Sequence, residues 1–259
     1  MIVRIQPPAT ELPPDVYIVG MGGSGLSGMA QILRSRGVDV SGSDATRESI
    51  EPLLKDGFSV QVGHRTENLH DRVSLVVHSA AIPSNNPELV ESRRRGIEVL
   101  KYAQFLGRLM EGSFGIAVAG THGKTSTGAM LASVWISAGR EPTVLLGGRH
   151  PELGGNWRVG AGSEFVVEAC EFDRSFLSLH PRAAIITNLE LDHPDIYPDL
   201  AAVQESFAAF VAGVREPGIT VLGDDGEGAR SLPIPPGREV ITFGFHSEAK
   251  WRAEVREGG

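Results

Sequence analysis

Two short apolar runs, each broken by a glycine-rich loop and then continued at helical spacing, constrain this chain more than any other feature. The first is Val16–Val19, which runs into Gly20-Met21-Gly22-Gly23-Ser24-Gly25. The second is Phe114–Ala119, which runs into Gly120-Thr121-His122-Gly123-Lys124-Thr125-Ser126-Thr127. A continuous apolar run that stops at glycine reads as a buried parallel strand. After the first loop, Leu26, Met29, Ala30 and Leu33 predict a helix over Leu26–Arg36, with Gly37 as its stop. After the second, the spacing predicts a helix over Thr125–Ala138. Two such openings predict two separate sheets.

The rest of the chain keeps the same rhythm. Val38–Ser41, Val73–Val77 and Glu98–Leu100 read as strands, with helices over Glu88–Arg95 and Tyr102–Glu111. Beyond the second loop, strands are expected at Phe165–Val167, Ala183–Thr187, Ile219–Leu222 and Glu239–Phe245, and a helix at Leu200–Val214. Alternating strands and helices imply an α/β chain built of two doubly wound, mostly parallel sheets. A Rossmann-like unit is expected over residues 1–111 and a P-loop unit over 112–259, with the boundary at Glu111–Ser113.

Composition removes several function classes. The 259 residues include 24 basic and 32 acidic side chains, and the net charge of −8 argues against nucleic acid as a partner. The longest uncharged stretch, Tyr17–Leu33, is punctuated by glycine and is not a membrane span. Residues 1–15 form a proline-rich lead-in without the apolar core of a signal peptide. One cysteine, Cys170, excludes an internal disulfide and fits a reducing, cytosolic compartment.

The loops themselves indicate phosphate. Gly20, Gly22 and Gly25 satisfy G-x-G-x-x-G between strand and helix, where the backbone can approach a diphosphate and the helix dipole favours an anion. Asp44, at the end of the next strand, holds the position of a ribose acceptor. A turn that is glycine-rich only for packing is the plainer alternative, and the pattern does not separate NAD from another nucleotide. The second loop ends in Gly-Lys-Thr as a P-loop does, although the usual first glycine falls at Val118. Its N–H groups would cradle phosphate, Lys124 would neutralise the β and γ oxygens, and a hydroxyl would bind Mg²⁺. The plainer alternative, Lys124 as a solvated surface lysine, sits poorly with the flanking strand and helix.

Two further clusters, Glu168–Asp173 and Thr187–His193, each follow an apolar strand and so belong at the carboxyl edge of the sheet. Singly, such residues are surface charges or caps; together beside a P-loop they suit a phosphate-bound Mg²⁺. Cys170 has no histidine placed to activate it and is expected to be a small buried side chain. His64, His70, His78, His150, His180 and His246 lack ligand spacing and are expected to be surface or satisfied core residues.

The order of motifs is itself distinctive: G-M-G-G-S-G-L-S-G-M-A, G-S-D, H-S-A-A-I-P-S-N-N-P-E, A-V-A-G-T-H-G-K-T-S-T, E-A-C-E-F-D-R-S-F-L and T-N-L-E-L-D-H-P-D-I-Y. This succession resembles the Mur ligase family from about Val16 to Tyr197. The G-T-H loop and the S-F-L after the acidic cluster point to the alanine-adding members, although the tripeptide-recycling members share much of it. The resemblance implies a first unit that holds UDP-N-acetylmuramate, with Gly22, Gly23, Ser24, Gly25, Leu26 and Ser27 at the diphosphate. Asp44, Ser79, Ala80, Ala81 and Ile82 would surround the uridine. It implies ATP on Gly120, Thr121, His122, Gly123, Lys124, Thr125 and Ser126, with Asn188 helping to hold substrate or nucleotide. Thr125, Ser126, Glu171 and His193 would ligate Mg²⁺, and Lys124, Glu171 and His193 would form the catalytic group. The implied reaction joins L-alanine to the muramate carboxylate through an acyl phosphate, with no protein nucleophile. The family has aspartate where this chain has Cys170, and it continues past Gly259 into an adenine-holding segment and a third domain. A chain without those parts is expected to bind the UDP-sugar and to ligate poorly. A non-catalytic nucleotide-binding module and an NAD-dependent oxidoreductase are the other readings, and the second leaves the Lys124 loop unexplained.

Overall fold

The computed structural model describes residues 11–255, so most of the proline-rich lead-in lies outside the described residues. The first apolar run becomes β1 (Asp15–Val19), followed by α1 (Ser24–Ser35), β2 (Asp39–Asp44), α2 (Arg47–Lys55) and β3 (Ser59–Val62). Then come β4 (Leu75–His78), α3 (Pro87–Arg94), β5 (Glu98–Lys101) and α4 (Tyr102–Met110). The five strands form one parallel sheet in the order β3-β2-β1-β4-β5.

The second apolar run becomes β6 (Phe114–Ala119), followed by α5 (Lys124–Ser137), the hairpin β7 (Thr143–His150) and β8 (Gly155–Arg158), and β9 (Glu164–Glu168). Next are β10 (Ala183–Ile186), α6 (Leu200–Ala212), β11 (Ile219–Gly223), the short α7 (Glu227–Arg230), β12 (Glu239–Gly244) and β13 (Trp251–Arg252). These strands form a second sheet in the order β13-β12-β11-β10-β6-β9-β7-β8, parallel except for the β7–β8 pair. The two doubly wound sheets expected from the sequence are therefore present.

Several elements escape the sequence pattern. β3, Ser-Val-Gln-Val, buries only Val60, because it is an edge strand with one covered face. α2 carries Pro52 and only two buried residues, Ile50 and Leu53, so its helical period is faint. The β7–β8 hairpin contains Gly147 and Gly148 where alternation would be read. Val73, expected to open a strand, instead lies in the turn before β4 and donates its N–H to His70.

A buried carboxylate organises the first unit. Asn86 caps α3 by accepting from the N–H groups of Glu88 and Leu89. That places the Glu88 carboxylate, wholly buried, within reach of Tyr17 Oη at 2.9 Å, Ser43 Oγ at 2.6 Å, Asn68 Nδ2 at 2.6 Å and His64 Nδ1 at 3.0 Å. Four partners offset the cost of removing the charge from water.

The two sheets do not stand apart. α1 of the first unit packs on the β7–β8 hairpin of the second, and one apolar cluster runs from Ile18 and Leu33 to Leu145 and Phe165. The approach is close because residue 28 is glycine: a Cβ there would lie 2.5 Å from Leu145 Cδ1 and 3.2 Å from Trp157 Cβ. Asn156 Nδ2 closes the seam, donating to Ser24 O at 2.8 Å and Leu146 O at 3.2 Å. Replacing Gly28 by Leu should overpack this seam and cost about 1–3 kcal/mol. A thermal melt checks it, with about 2–4 °C lost per kcal/mol in a chain this size; an unchanged midpoint would mean that the seam yields freely.

Candidate functional site

The second glycine loop is shaped by its neighbours as much as by its own residues. Gly120 and Gly123 have φ of +129° and +81°, which L side chains rarely adopt, and α5 begins directly after them at Lys124. The segment after β10 clamps the loop. Thr187 Oγ1 donates to His122 O at 2.6 Å; Asn188 Oδ1 accepts from His122 N at 2.9 Å, and its Nδ2 donates back to His122 O at 3.0 Å. Thr121 Oγ1 accepts from Glu190 N at 2.9 Å. Asn188, expected to hold substrate or nucleotide, here gives both ends of its amide to the loop backbone.

Lys124 folds back over the loop. Its Nζ donates to Gly120 O at 2.6 Å, Thr121 O at 3.1 Å and Glu171 Oε1 at 3.1 Å. It also lies 3.0 Å from Glu171 Oε2, off hydrogen-bonding geometry, so that this buried oxygen has no hydrogen-bond partner. His193 Nε2 stands 4.0 Å from Glu171 Oε1, with Asp192 beside it, and ligand atoms of the three residues lie within 4.8 Å of one another. His193 holds φ +53°, unusual for a residue with a side chain, and its ring meets Phe172 edge-on at 5.4 Å. A buried carboxylate oxygen short of a donor, facing an imidazole and an aspartate, fits a hard cation.

Glu168, read from the sequence as part of the acidic cluster but given no role of its own, joins this group. Its Oε2 accepts from Thr125 Oγ1 at 2.7 Å and from Gly147 N at 2.8 Å, tying the start of α5 to the hairpin. Its place as the last residue of β9, at the carboxyl edge, is the signal that could have found it. Ser126, by contrast, is exposed.

The first loop lies across a cavity from these groups. Gly20, with φ +83°, and Met21 both donate to Ser43 O, at 2.9 and 3.0 Å. Gly22 N donates to Asp44 Oδ2 at 2.8 Å, and Ser49 Oγ donates to Asp44 Oδ1 at 2.7 Å. Asp44, expected at a ribose, thus also braces the loop. No side chain caps α1 at Gly23, so its first-turn N–H groups remain open to an anion. Leu26 is 3% exposed and can offer a ligand only its backbone. Ser79–Ile82 turns beside Gly20, with Ile82 N donating to Ser79 O at 3.1 Å. A cavity of about 300 Å³ separates Gly23–Leu26, Ser79 and Ala80 from Glu168, Cys170 and Phe172. A larger hollow, about 690 Å³ between Arg182, Gly218 and Arg238, opens at the amino-terminal edge of the second sheet, away from both loops.

Cys170 corrects an expectation: it is exposed on the cavity wall, because Ala169 takes the buried position and Cys170 points the other way. Protein crowding the sulfur, with the charge of Glu171 added, pushes its pKa above the ordinary thiol value. His64 and His78 are satisfied, the latter through Nδ1 to Ser79 O at 2.9 Å, but His70 and His150 each bury an Nδ1 without a partner among the described residues.

The family models settle what this geometry belongs to. One described as "Mur ligase family, catalytic domain" matches residues 15–114, and one described as "Mur ligase middle domain" matches 118–258. The chain belongs to the Mur ligase family. It is 42% identical over 94% of its length to UDP-N-acetylmuramate–L-alanine ligase of Solidesulfovibrio magneticus, and 44% identical over 94% to that of Rubrobacter xylanophilus. It covers 53% and 54% of those two proteins, about half the length of these Mur ligases. Among solved structures it is similar to UDP-N-acetylmuramate–alanine ligase of Thermotoga maritima (TM-score 0.78, 31% identity), covering 89% of this chain and 52% of that one. It is also similar to the Neisseria meningitidis ligase whose substrates are UDP-N-acetylmuramate and L-alanyl-γ-D-glutamyl-meso-diaminopimelate (TM-score 0.80, 28% identity), covering 88% and 77%.

The raised thiol pKa has a direct consequence. Less thiolate is present at neutral pH than in a free cysteine, so alkylation of this Mur ligase by iodoacetamide at pH 8 should run slower than that of a cysteine peptide. The rate should still be climbing above pH 9; a plateau below that would contradict the environment described.

Proposed function

We propose that this chain carries the UDP-sugar and ATP sites of a ligase that joins L-alanine to the carboxylate of UDP-N-acetylmuramate, a step of peptidoglycan precursor synthesis in the cytosol. Residues 1–111 form the UDP-sugar unit and 112–259 the ATP unit. One observation carries the reading: Lys124 on its phosphate loop touches Glu171 beside His193, and a second open phosphate loop shares a cavity with Glu168 and Cys170 of the strand end next to that group. The curated relatives' names favour L-alanine; the Neisseria structure keeps the tripeptide as the second candidate.

Gly120–Ser126 takes the ATP phosphates, and Gly22–Ser27 takes the UDP diphosphate, with Asp44 and Ser79–Ile82 around the uridine. The three N–H donors of Lys124 now rest on two carbonyls and a carboxylate. Swung toward the γ-phosphate, they would offset the repulsion between it and the attacking carboxylate. Thr125, Ser126, Glu171 and His193 would hold Mg²⁺, with Glu168 receiving the Thr125 hydroxyl proton. A bound Mg²⁺ supplies charge neutralisation at the phosphate oxygens. Asn188 keeps His122 in place for the phosphates, and no side chain need attack the substrate.

Calorimetric titration with UDP-N-acetylmuramate should show binding, with none for NAD; the reverse result would return the first loop to an oxidoreductase. Lys124→Ala should weaken a non-hydrolysable ATP analogue at least about tenfold, one charge-assisted contact being worth about 1.5–3 kcal/mol. UDP-N-acetylmuramate binding should persist in that variant, and unchanged ATP-analogue affinity would refute the phosphate-loop assignment.

A further inference from the structure

The hydroxyl of the half-buried Tyr102 bonds to none of the described residues. The chain has three tyrosines, and the other two are committed: Tyr17 Oη donates to Glu88 Oε1 at 2.9 Å, and Tyr197 Oη to Glu171 O at 2.8 Å. Tyr102 Oη makes no hydrogen bond among the described residues. The residue is only half-buried, so this hydroxyl is accessible and free to donate to a ligand in the cavity.

Its position says what that could be. Tyr102 opens α4 at the carboxyl end of β5 and lines the cavity of about 300 Å³ between the first loop and Glu168, Cys170 and Phe172. Its ring presses on the first turn of α1, where a Cβ on Gly25 would stand 2.8 Å from Cζ and 2.9 Å from Oη. Gly25, at a helical position where φ does not itself demand glycine, leaves room for this ring. Burial, reinforced by the negative charge of Glu168 across the cavity, raises the phenol's pKa above its ordinary value and keeps it a donor. Of the polar groups on the cavity wall, Lys101 Nζ pairs with Asp173 at 2.6 Å, and Glu168 Oε2 accepts from Thr125 and Gly147.

We propose that Tyr102 is a substrate-binding residue whose hydroxyl donates to the muramoyl part of the UDP-sugar, its ring oxygens or lactyl carboxylate. The assignment rests on the UDP-N-acetylmuramate reading above and names one contact within it. A ligand with its diphosphate on α1 and its carboxylate near Lys124 has to cross the cavity that Tyr102 lines, so an oxygen-rich sugar passes the free donor. The contact fixes the sugar between the two phosphate loops, and Tyr102 takes no part in phosphoryl transfer.

Tyr102→Phe removes one oxygen and keeps the ring on Gly25, so the fold should survive with its thermal midpoint intact. Calorimetry on the whole chain with UDP-N-acetylmuramate and with UDP separates the possibilities. The expected result is about tenfold weaker binding of UDP-N-acetylmuramate, the size of one lost hydrogen bond, with UDP affinity within twofold of the unsubstituted chain. Unchanged affinity for the UDP-sugar, or an equal loss for both ligands, overturns the assignment. Failure of the unsubstituted chain to bind UDP-N-acetylmuramate would overturn the functional reading itself, and it would be seen before any substitution is made.

Discussion

The packing of α1 on the β7–β8 hairpin is the contact on which the arrangement of the site depends. α1 belongs to the first sheet and carries the glycine loop at its amino terminus; the hairpin belongs to the second sheet and leads through β9 to Glu168. Glycine at 28 lets the two backbones close to the distance at which Leu145 and Trp157 fill the seam, and Asn156 bonds across it. With that seam closed, the first glycine loop shares a cavity with Glu168 and Cys170 at the carboxyl edge of the second sheet. Joining two bound reactants requires such fixed proximity, because holding them together removes most of the entropic cost of their meeting.

Around the cavity, charge is arranged in reserve. Glu171 is buried, with one oxygen on Lys124 and the other lacking a hydrogen-bond donor. Such a group is tolerated because the ammonium lies 3.0 Å away, and the imidazole of His193 stands next to it. Lys124, in turn, is held by two loop carbonyls. Lysine, carboxylate and imidazole are thus gathered at the carboxyl edge of the second sheet, with Lys124 and His193 each within 4.0 Å of Glu171. The left-handed backbone at His193 is part of the same arrangement, aiming the ring at Glu171.

Much of the fold was legible because parallel sheets bury both faces. β1, β4, β6, β9 and β10 read as unbroken apolar runs, and the glycine loops after β1 and β6 were found at once. The edge strand β3 and the hairpin were not, since β3 buries one residue and β7 is interrupted by glycines. The phosphate loops and the clusters Glu168–Asp173 and Thr187–His193 were found for the same reason, each at a strand's carboxyl end. What each side chain does there was read less well. The bracing of His122 by Asn188 was not foreseen; Cys170 was expected inside and is exposed; Glu168, read only as a member of the acidic cluster, is the partner of Thr125.

The amino-acid sequence by itself determined the two α/β units, the two phosphate loops and the family, because strand burial, glycine spacing and a lysine after Gly123 are local properties of the chain. Only the tertiary structure decided that the first loop shares a cavity with Glu168 and Cys170, that Gly25 makes room for Tyr102 and that Glu171 keeps an oxygen unpaired among the described residues. Those depend on residues far apart in sequence, such as Gly28 with Leu145 and Lys124 with Glu171, and distance in space between such pairs is set by packing that no local pattern encodes.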